Sequence, residues 1–472
     1  MPEPAGIGGV AEQEERTLSG WGRTSPSKAT VIAPEGSDGI LRSVLRAAGA
    51  QSGSSGRGII ARGLGRSYGD PAQCAGGVVI DTKNLTRIGP IDPDSGVVEA
   101  EAGVSLDALL RAGLQTGWFI PVSPGTRQVT IGGAIAADIH GKNHHADGSF
   151  CRHVSSVTLA TPTGVHEVGP EADPELFWAT AGGMGLTGVV TQALVTMRKV
   201  ETSWMRVDTE RHENIDALMA GLERVDRLHR YSVAWVDCSA SGARLGRGVL
   251  DAGDHAGASE LATKRRGDPL APPREHGLRM PKLVPRGIVN PLTISAFNEA
   301  WYRKSASRTG RLRHLGGFFH PLDAVSNWNL VFGRRGFVQY QFVVGAEHQG
   351  VVPRAIEILQ KAGAPCTLAV LKRFGPADPG PLSFPIPGWT LALDLPVGPP
   401  GLRPALRRLD DIVAGVGGRV YLAKDARLDP TTFAAMYPRF GEFNSVRRRV
   451  DPDGVLQSDL ARRLGICEDS RA

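Results

Sequence analysis

No run of this 472-residue chain approaches the roughly 18–20 consecutive apolar residues that cross a bilayer, so any membrane contact is expected to be peripheral. The first twenty residues are acidic and polar, without the apolar stretch a secretory signal needs. Cysteine is scarce. Cys74, Cys151, Cys238, Cys366 and Cys467 are widely spaced, odd in number and form no C-x-x-C pair, which argues against a disulfide framework and a zinc ribbon. There is no Walker loop, no H-E-x-x-H pattern, no internal repeat and no low-complexity tract. Lys and Arg are spread along the chain rather than gathered in a stripe, which counts against a nucleic-acid-binding module.

What is present fits a globular protein of two or three lobes. Hydrophobic residues make up 41% and charged residues 22%, proportions that fill a core without staples. The net charge of +6 gives a mild bias towards anionic partners. The 60 glycines imply many tight turns or close approaches of backbone to a ligand.

Up to about residue 200 the pattern alternates short strands and helices. Strands are expected at 58–62, 78–81, 97–101, 153–162 and 188–197. Ser105 is placed to cap a helix with an apolar stripe of Leu106, Leu109 and Leu110, and Asp173-Pro174-Glu175 starts another. The character then changes. Residues 264–290, rich in Pro, Lys and Arg, read as a mobile surface loop. Strands return at 338–343 and 391–395, and residues 418–463 hold a strand, a helix and a basic segment.

Three glycine-rich segments stand out. Ala61-Arg-Gly-Leu-Gly-Arg-Ser-Tyr-Gly-Asp70 lets successive amides face one concavity, a nest for an anion such as pyrophosphate. Alone it is more readily a plain tight turn. In the second, Pro124 to His145, small residues at Gly132, Gly133, Ala134, Ala136 and Ala137 let a flat ligand lie against backbone, and Asp138, His140, Lys142 and Asn143 follow. The third, Gly182-Gly-Met-Gly-Leu-Thr-Gly188, contains a G-x-G-x-x-G, but a helix precedes it and a strand follows. That is the reverse of a dinucleotide fingerprint, and nicotinamide binding is rejected. His140, His144 and His145 suggest a metal, yet Gly141 and Asn143 favour a loop over a helix, and no metal site is expected.

The order of these segments resembles the FAD domain of the vanillyl-alcohol-oxidase flavoproteins. Ser19-Gly-Trp-Gly-Arg-Thr24, Ile139-His-Gly-Lys-Asn-His-His145, Trp301-Tyr-Arg-Lys-Ser305, Ser383-Phe-Pro-Ile-Pro-Gly-Trp389 and Tyr421-Leu-Ala-Lys-Asp425 narrow the resemblance to the decaprenylphosphoryl-ribose oxidase subfamily, over nearly the whole chain. It implies an α+β, two-domain fold. A flexible N-terminus would span 1–17, an FAD domain 18–200 and 418–472, and an inserted antiparallel-sheet substrate domain 201–417. It also implies FAD, held non-covalently, and oxidation of a ribose 2-hydroxyl on a polyprenyl phosphate. The 2-keto product would pass to an NAD(P)H-dependent reductase, with the work done at the membrane surface or in the periplasm of the cell envelope. A sugar-1,4-lactone oxidase of the same superfamily is the nearest alternative.

By the same resemblance, Arg62, Gly63, Leu64, Gly65, Arg66, Ser67, Tyr68, Gly69 and Asp70 contact FAD in the first loop. Pro124, Gly125, Thr126, Thr130, Ile131, Gly132, Gly133, Ala137, Asp138, Ile139, His140 and Asn143 do so in the second segment, with Val190 and Tyr421 from elsewhere. Lys142, Trp235, Phe319, Gln339, Gln341, Lys372, Thr390, Ala392 and Lys424 would line the substrate pocket. Lys424, His140 and Tyr68 are the catalytic candidates. Lys424 could steady reduced flavin, orient the hydroxyl, or act as a base. Gln339 and Gln341 alternate on one strand, so both can face the pocket. Three positions depart from the subfamily pattern: Ala392 for Cys, Phe319 for Tyr and Thr390 for Asn.

Overall fold

The computed structural model describes residues 13–51, 56–274, 278–281 and 287–466. Its architecture is α+β. A four-stranded sheet runs in the order Gln13–Leu18, Ser27–Ile32, Val78–Asp81, Ile59–Arg62, and its last three strands are parallel. The first strand pairs antiparallel with the second, so residues 13–17, expected to be flexible, are strand; residues 1–12 lie outside the described residues. A second four-stranded sheet, antiparallel throughout, is ordered Val97–Glu101, Val189–Thr196, Val154–Thr161, Gly164–Val168.

Eight antiparallel strands form the largest sheet, ordered Arg308–His314, Trp204–His212, Gly248–His255, Tyr231–Val236, Leu368–Phe374, Gly388–Pro396, Phe337–Gly345, Arg419–Val420. Helix Leu402–Gly415 buries Leu402, Ala405, Leu406, Leu409 and Val413 and packs on this sheet beside helix Val351–Lys361. The Tyr340 hydroxyl donates to Asp410 of that helix at 3.1 Å. Because side chains alternate along a strand, Gln339 and Gln341 point the other way.

The end of the chain returns to the first sheet. The Ile59 amide donates to the Val455 carbonyl at 2.9 Å and the Gln457 amide to the Ile59 carbonyl at 3.0 Å. Three helices, Pro430–Met436, Phe440–Val450 and Asp459–Arg463, occupy a stretch where one was expected. The sequence hides the breaks because Asp429 with Pro430, and Ser458, start two of them through local caps. Ser105 and Asp173 cap their helices as read from the sequence, each accepting from the amide three residues on. Within 264–290, Thr263–Arg266 forms one helical turn and Leu278–Arg279 a short strand parallel to Val325–Ser326; residues 275–277 and 282–286 lie outside the described residues.

Candidate active site

A cleft of about 340 Å³ opens where the small sheets meet the large one. One wall is the loop after strand Ile59–Arg62. Gly65 sits there at φ +62, where a side chain would be strained. The amides of Gly63, Leu64, Gly65, Arg66 and Ser67 donate to no acceptor among the described residues. Five consecutive free donors beside a cleft are an anion cradle rather than a plain turn. The Ser19–Thr24 motif backs this loop. Trp21 and Gly22 donate to the Ser67 and Tyr68 carbonyls at 2.8 and 3.1 Å, and the Arg66 guanidinium lies 4.0 Å over the Trp21 ring.

The floor consists of Gly132, Gly133, Ala136 and Ala137, with Met184, Gly185 and Gly188 from the third glycine-rich segment. A Cβ built on Gly125 would meet no protein atom within 4 Å. This flat, small-residue surface beside the free amides fits FAD, with the pyrophosphate on the amides and the flat ring over the floor.

The opposite wall comes from three neighbouring strands of the large sheet. Their register aligns Gln339, Asp394 and Leu368, then Gln341, Ala392 and Val370, then Val343, Thr390 and Lys372. Gln339, Gln341, Leu368, Val370, Lys372 and Ala392 line the cleft, with Tyr421, Ala423 and Lys424 from the turn after Arg419–Val420. Lys424 Nζ sits 3.9 Å above the Tyr68 ring. The Gln339 amide donates to Asp394 at 2.5 Å and the Gln341 amide to Thr390 Oγ1 at 3.2 Å. His140 has Gln341 Nε2 at 3.0 Å from Nε2 and Lys372 Nζ at 2.9 Å from Nδ1. The Tyr421 hydroxyl donates to the Ala137 carbonyl at 2.7 Å, tying this wall to the floor.

Burial dominates the electrostatics. It lowers Lys424 to about 8, against the opposing pull of Asp394. Burial, reinforced by Lys142 and Lys424, brings Lys372 to about 7. Asp394 is raised by burial to about 7, with Gln339 and Lys424 opposing. Burial also pushes His140 well below its usual value and Tyr68 well above. Such opposed shifts in one cleft mark a site able to move protons near neutral pH.

Several expected contacts lie elsewhere. The Arg62 guanidinium donates to the Ser19 and Ala72 carbonyls at 2.8 and 3.0 Å, bracing the loop from behind. Asp70 pairs with Arg463 at 2.7 Å, and Gly69 is pressed against the Asp425 carbonyl. Ile131 is core. Asp138, at φ 39, accepts from the Cys151 amide at 3.1 Å, and Asn143 donates to the Pro121 carbonyl at 2.9 Å. Lys142 is half-buried, bonded to the Phe318 carbonyl and 4.4 Å over the Phe318 ring. Phe319 is enclosed by Phe119, Tyr231 and His255 and does not reach the cleft wall. Thr390 is buried behind Gln341, and Trp235 pairs with Val370, one strand beyond the lining. Sequence reasoning missed Trp21 and the 322–328 rim, and Asp394, which sits behind the lining as the acceptor for Gln339. Asp394 had a signal, since it alternates with Ala392 and Thr390 on one strand.

These features define an FAD-dependent oxidoreductase. The FAD binding domain family matches residues 30–169, and the D-arabinono-1,4-lactone oxidase family matches residues 401–464. The chain is 45% identical over 454 residues to the decaprenylphosphoryl-β-D-ribose oxidase of Mycolicibacterium smegmatis, covering 95% of this chain and 97% of that protein. An L-gulono-1,4-lactone dehydrogenase of Mycobacterium tuberculosis is 24% identical, over 88% of this chain and 92% of its own. The protein belongs to the decaprenylphosphoryl-β-D-ribose oxidase family.

Proposed function

We propose that the protein oxidises the ribose 2-hydroxyl of a polyprenylphosphoryl β-D-ribose to the 2-keto sugar. This is the first half of an epimerisation to the arabinose form used in cell-wall arabinan, completed by an NAD(P)H-dependent reductase. The observation that carries the reading is the polar face of the three aligned strands, which sets Gln339, Gln341 and Lys372 opposite Lys424 and beside the small-residue floor. Non-covalent FAD supplies the two-electron oxidant. The amides from Gly63 to Ser67 hold its pyrophosphate, and the lining residues among Pro124–His140, with Val190 and Tyr421, form its bed. Gln339 and Gln341 orient the ribose hydroxyls. Lys424, kept charged by Asp394 and the Tyr68 ring, provides the cation that steadies negative charge developing in the cleft. Arg62, Asp70, Asp138 and Asn143 shape the loops rather than touch the cofactor.

The exposed surface suits a lipid-borne substrate in the cell envelope. Helix Pro291–Lys304 exposes Leu292, Phe297 and Trp301 and ends in Arg303 and Lys304. Leu278 is exposed on the strand that pairs with Val325–Ser326 of the cleft rim. Apolar and basic side chains together favour an anionic bilayer surface.

The test is an anaerobic titration with polyprenylphosphoryl ribose, following flavin absorbance. Bleaching supports the reading. The C-terminal likeness to lactone oxidases favours one alternative, so a protein that bleaches only with a sugar 1,4-lactone would replace ribose oxidation with lactone oxidation.

A further inference from the structure

Two acids that the chemistry above does not use meet behind the flavin floor. Asp138 stands where the floor ends, between Ala137 and Ile139, which both line the cleft. Asp378 lies in the loop between strands Leu368–Phe374 and Gly388–Pro396, which supply the opposite wall. Both acids are buried, and their side chains are within hydrogen-bonding reach of each other. Each has one oxygen engaged. Asp138 Oδ1 accepts from the Cys151 amide at 3.1 Å, and Asp378 Oδ1 accepts from Arg152 Nε. Each leaves its Oδ2 buried with no donor among the described residues. Two ionised carboxylates in contact away from water repel, and a buried acceptor without a donor adds its own cost. One hydrogen between the two oxygens removes both penalties.

We propose that Asp138 and Asp378 share one proton, and that this acid pair latches the flavin floor to the loop of the opposite wall. The hydrogen is bonded to Asp138 Oδ2 and donated to Asp378 Oδ2. Asp378 keeps the negative charge because the Arg152 guanidinium pairs with it, and Arg152 Nη2 also donates to the Ala377 carbonyl at 2.9 Å. Burial first, and then the charge on Asp378, hold Asp138 well above the usual carboxylate range, with the Cys151 amide opposing. The other titratable groups facing the pair are Cys151, His153 and Tyr421. Burial pushes the Cys151 thiol and the Tyr421 phenol up and the His153 imidazole down, so all three are neutral and Arg152 sets the local charge.

The pair reaches the cofactor through the backbone. Asp138 sits at φ 39, a left-handed conformation that a non-glycine residue holds only when its surroundings fix it. Asp138 and Asp378 are therefore positioning residues, acting on the bed through Ala137 and Ile139. The same loop carries Phe384, whose ring stacks on Tyr421 at 4.6 Å. With the proton in place the turn is held and the bed is set. When the proton leaves, the carboxylates repel and the loop and floor part. Because the Asp138 value is raised, the latch is shut through neutral pH and opens on the alkaline side. Its contribution to stability is complete below the unfolded value of about 4 and disappears as pH rises through the folded value.

Infrared spectra of the holoenzyme labelled with ¹³C-aspartate test the proton without substrate. At neutral pH the parent should show the carbonyl band of a protonated acid that Asp138→Asn and Asp378→Asn each lack. In Asp378→Asn, Arg152 holds the amide oxygen, so the amide N–H takes the place of the shared hydrogen, Asp138 becomes the carboxylate and the local charge is unchanged. A parent without the band, or Asp378→Asn with it, overturns the shared proton. Visible circular dichroism of the bound flavin then reads the bed. The parent signal should change as pH rises, together with loss of the band, while Asp378→Asn keeps the neutral-pH signal over the same range. Asp378→Leu offers the Asp138 hydrogen no acceptor and should show the altered signal already at neutral pH. A parent signal that ignores loss of the band, a band that persists until the parent unfolds, or an Asp378→Asn signal that follows the parent's refutes the latch. Should Asp378→Leu fail to fold, the parent and Asp378→Asn titrations still decide it.

Discussion

Gly69 offers a way to displace Lys424 without touching it. Its backbone passes so close to the turn after Arg419–Val420 that an added Cβ would lie 1.8 Å from the Asp425 carbonyl oxygen and 2.8 Å from its carbon. Carbon–oxygen contacts settle at about 3.3 Å, so in Gly69→Ala the turn must retreat by about 1.5 Å. The Tyr68 amide bond to the Ala423 carbonyl, 2.9 Å now, would then be lost. Overpacking of this kind costs about 1–3 kcal/mol, and the missing bond adds about 1 kcal/mol. Lys424 rides on the same turn, above Tyr68. A displacement near 1 Å in a reacting geometry costs about 10²-fold in rate. Gly69→Ala should therefore melt lower than the parent and reduce its flavin about a hundredfold more slowly. Gly125→Ala is the matched control. Nothing of the protein lies within 4 Å of its new methyl, so the apoprotein should melt unchanged while FAD binds more weakly. Parental melting and reduction rates in Gly69→Ala would refute the close approach and the placement of Lys424 built on it.

Lys424→Met should retain FAD and its melting temperature yet slow anaerobic flavin reduction by about 10²–10³-fold; equal rates would remove the cation from the chemistry. Asp394 has its folded pKa raised to about 7 from an unfolded value near 3.9. The stability tied to its neutral form is complete below about pH 4 and is lost as pH rises through about 7. Asp394→Asn, which still accepts from Gln339, should thus gain melting temperature over the parent at pH 8 and little at pH 4; a pH-independent difference would contradict the raised value. Ala392→Cys should make flavin reduction more sensitive than the parent's to a thiol-directed electrophile, since the cysteines among the described residues, Cys74, Cys151, Cys238 and Cys366, are buried and away from the cleft lining. Phe297→Asp with Trp301→Asp should weaken binding to anionic vesicles, measured by flotation at low salt, and unchanged flotation would remove this helix from the membrane contact.

Local chemistry made much of the fold legible. Ser105 and Asp173 announce helix starts through their own side chains, and the three glycine-rich segments mark backbone that must stay bare. Pairing across the chain was not legible. That Gln341, Ala392 and Val370 stand in one row depends on strand order in the large sheet, and no local pattern encodes it. Asp394 was passed over because residues 391–395 read as an apolar strand in which a lone acid looks structural. Phe319 and Lys142 were placed in the pocket by likeness, and the structure seats them in an aromatic cluster. A position's neighbours, not its alignment, decide where its side chain ends.

Lys424 and Tyr421 leave the ribosome some 280 residues after the floor they cover (Tyr421 bonds to Ala137 across that interval), and the Leu456–Gln457 segment docks later still against Ile59. The flavin's bed is made first in synthesis, and its wall some 280 residues later. A nascent chain halted before Arg419 would carry a cradle with no clasp. A clasp that follows its cradle by some 280 residues makes closure of the cleft wait on synthesis of the chain through Lys424.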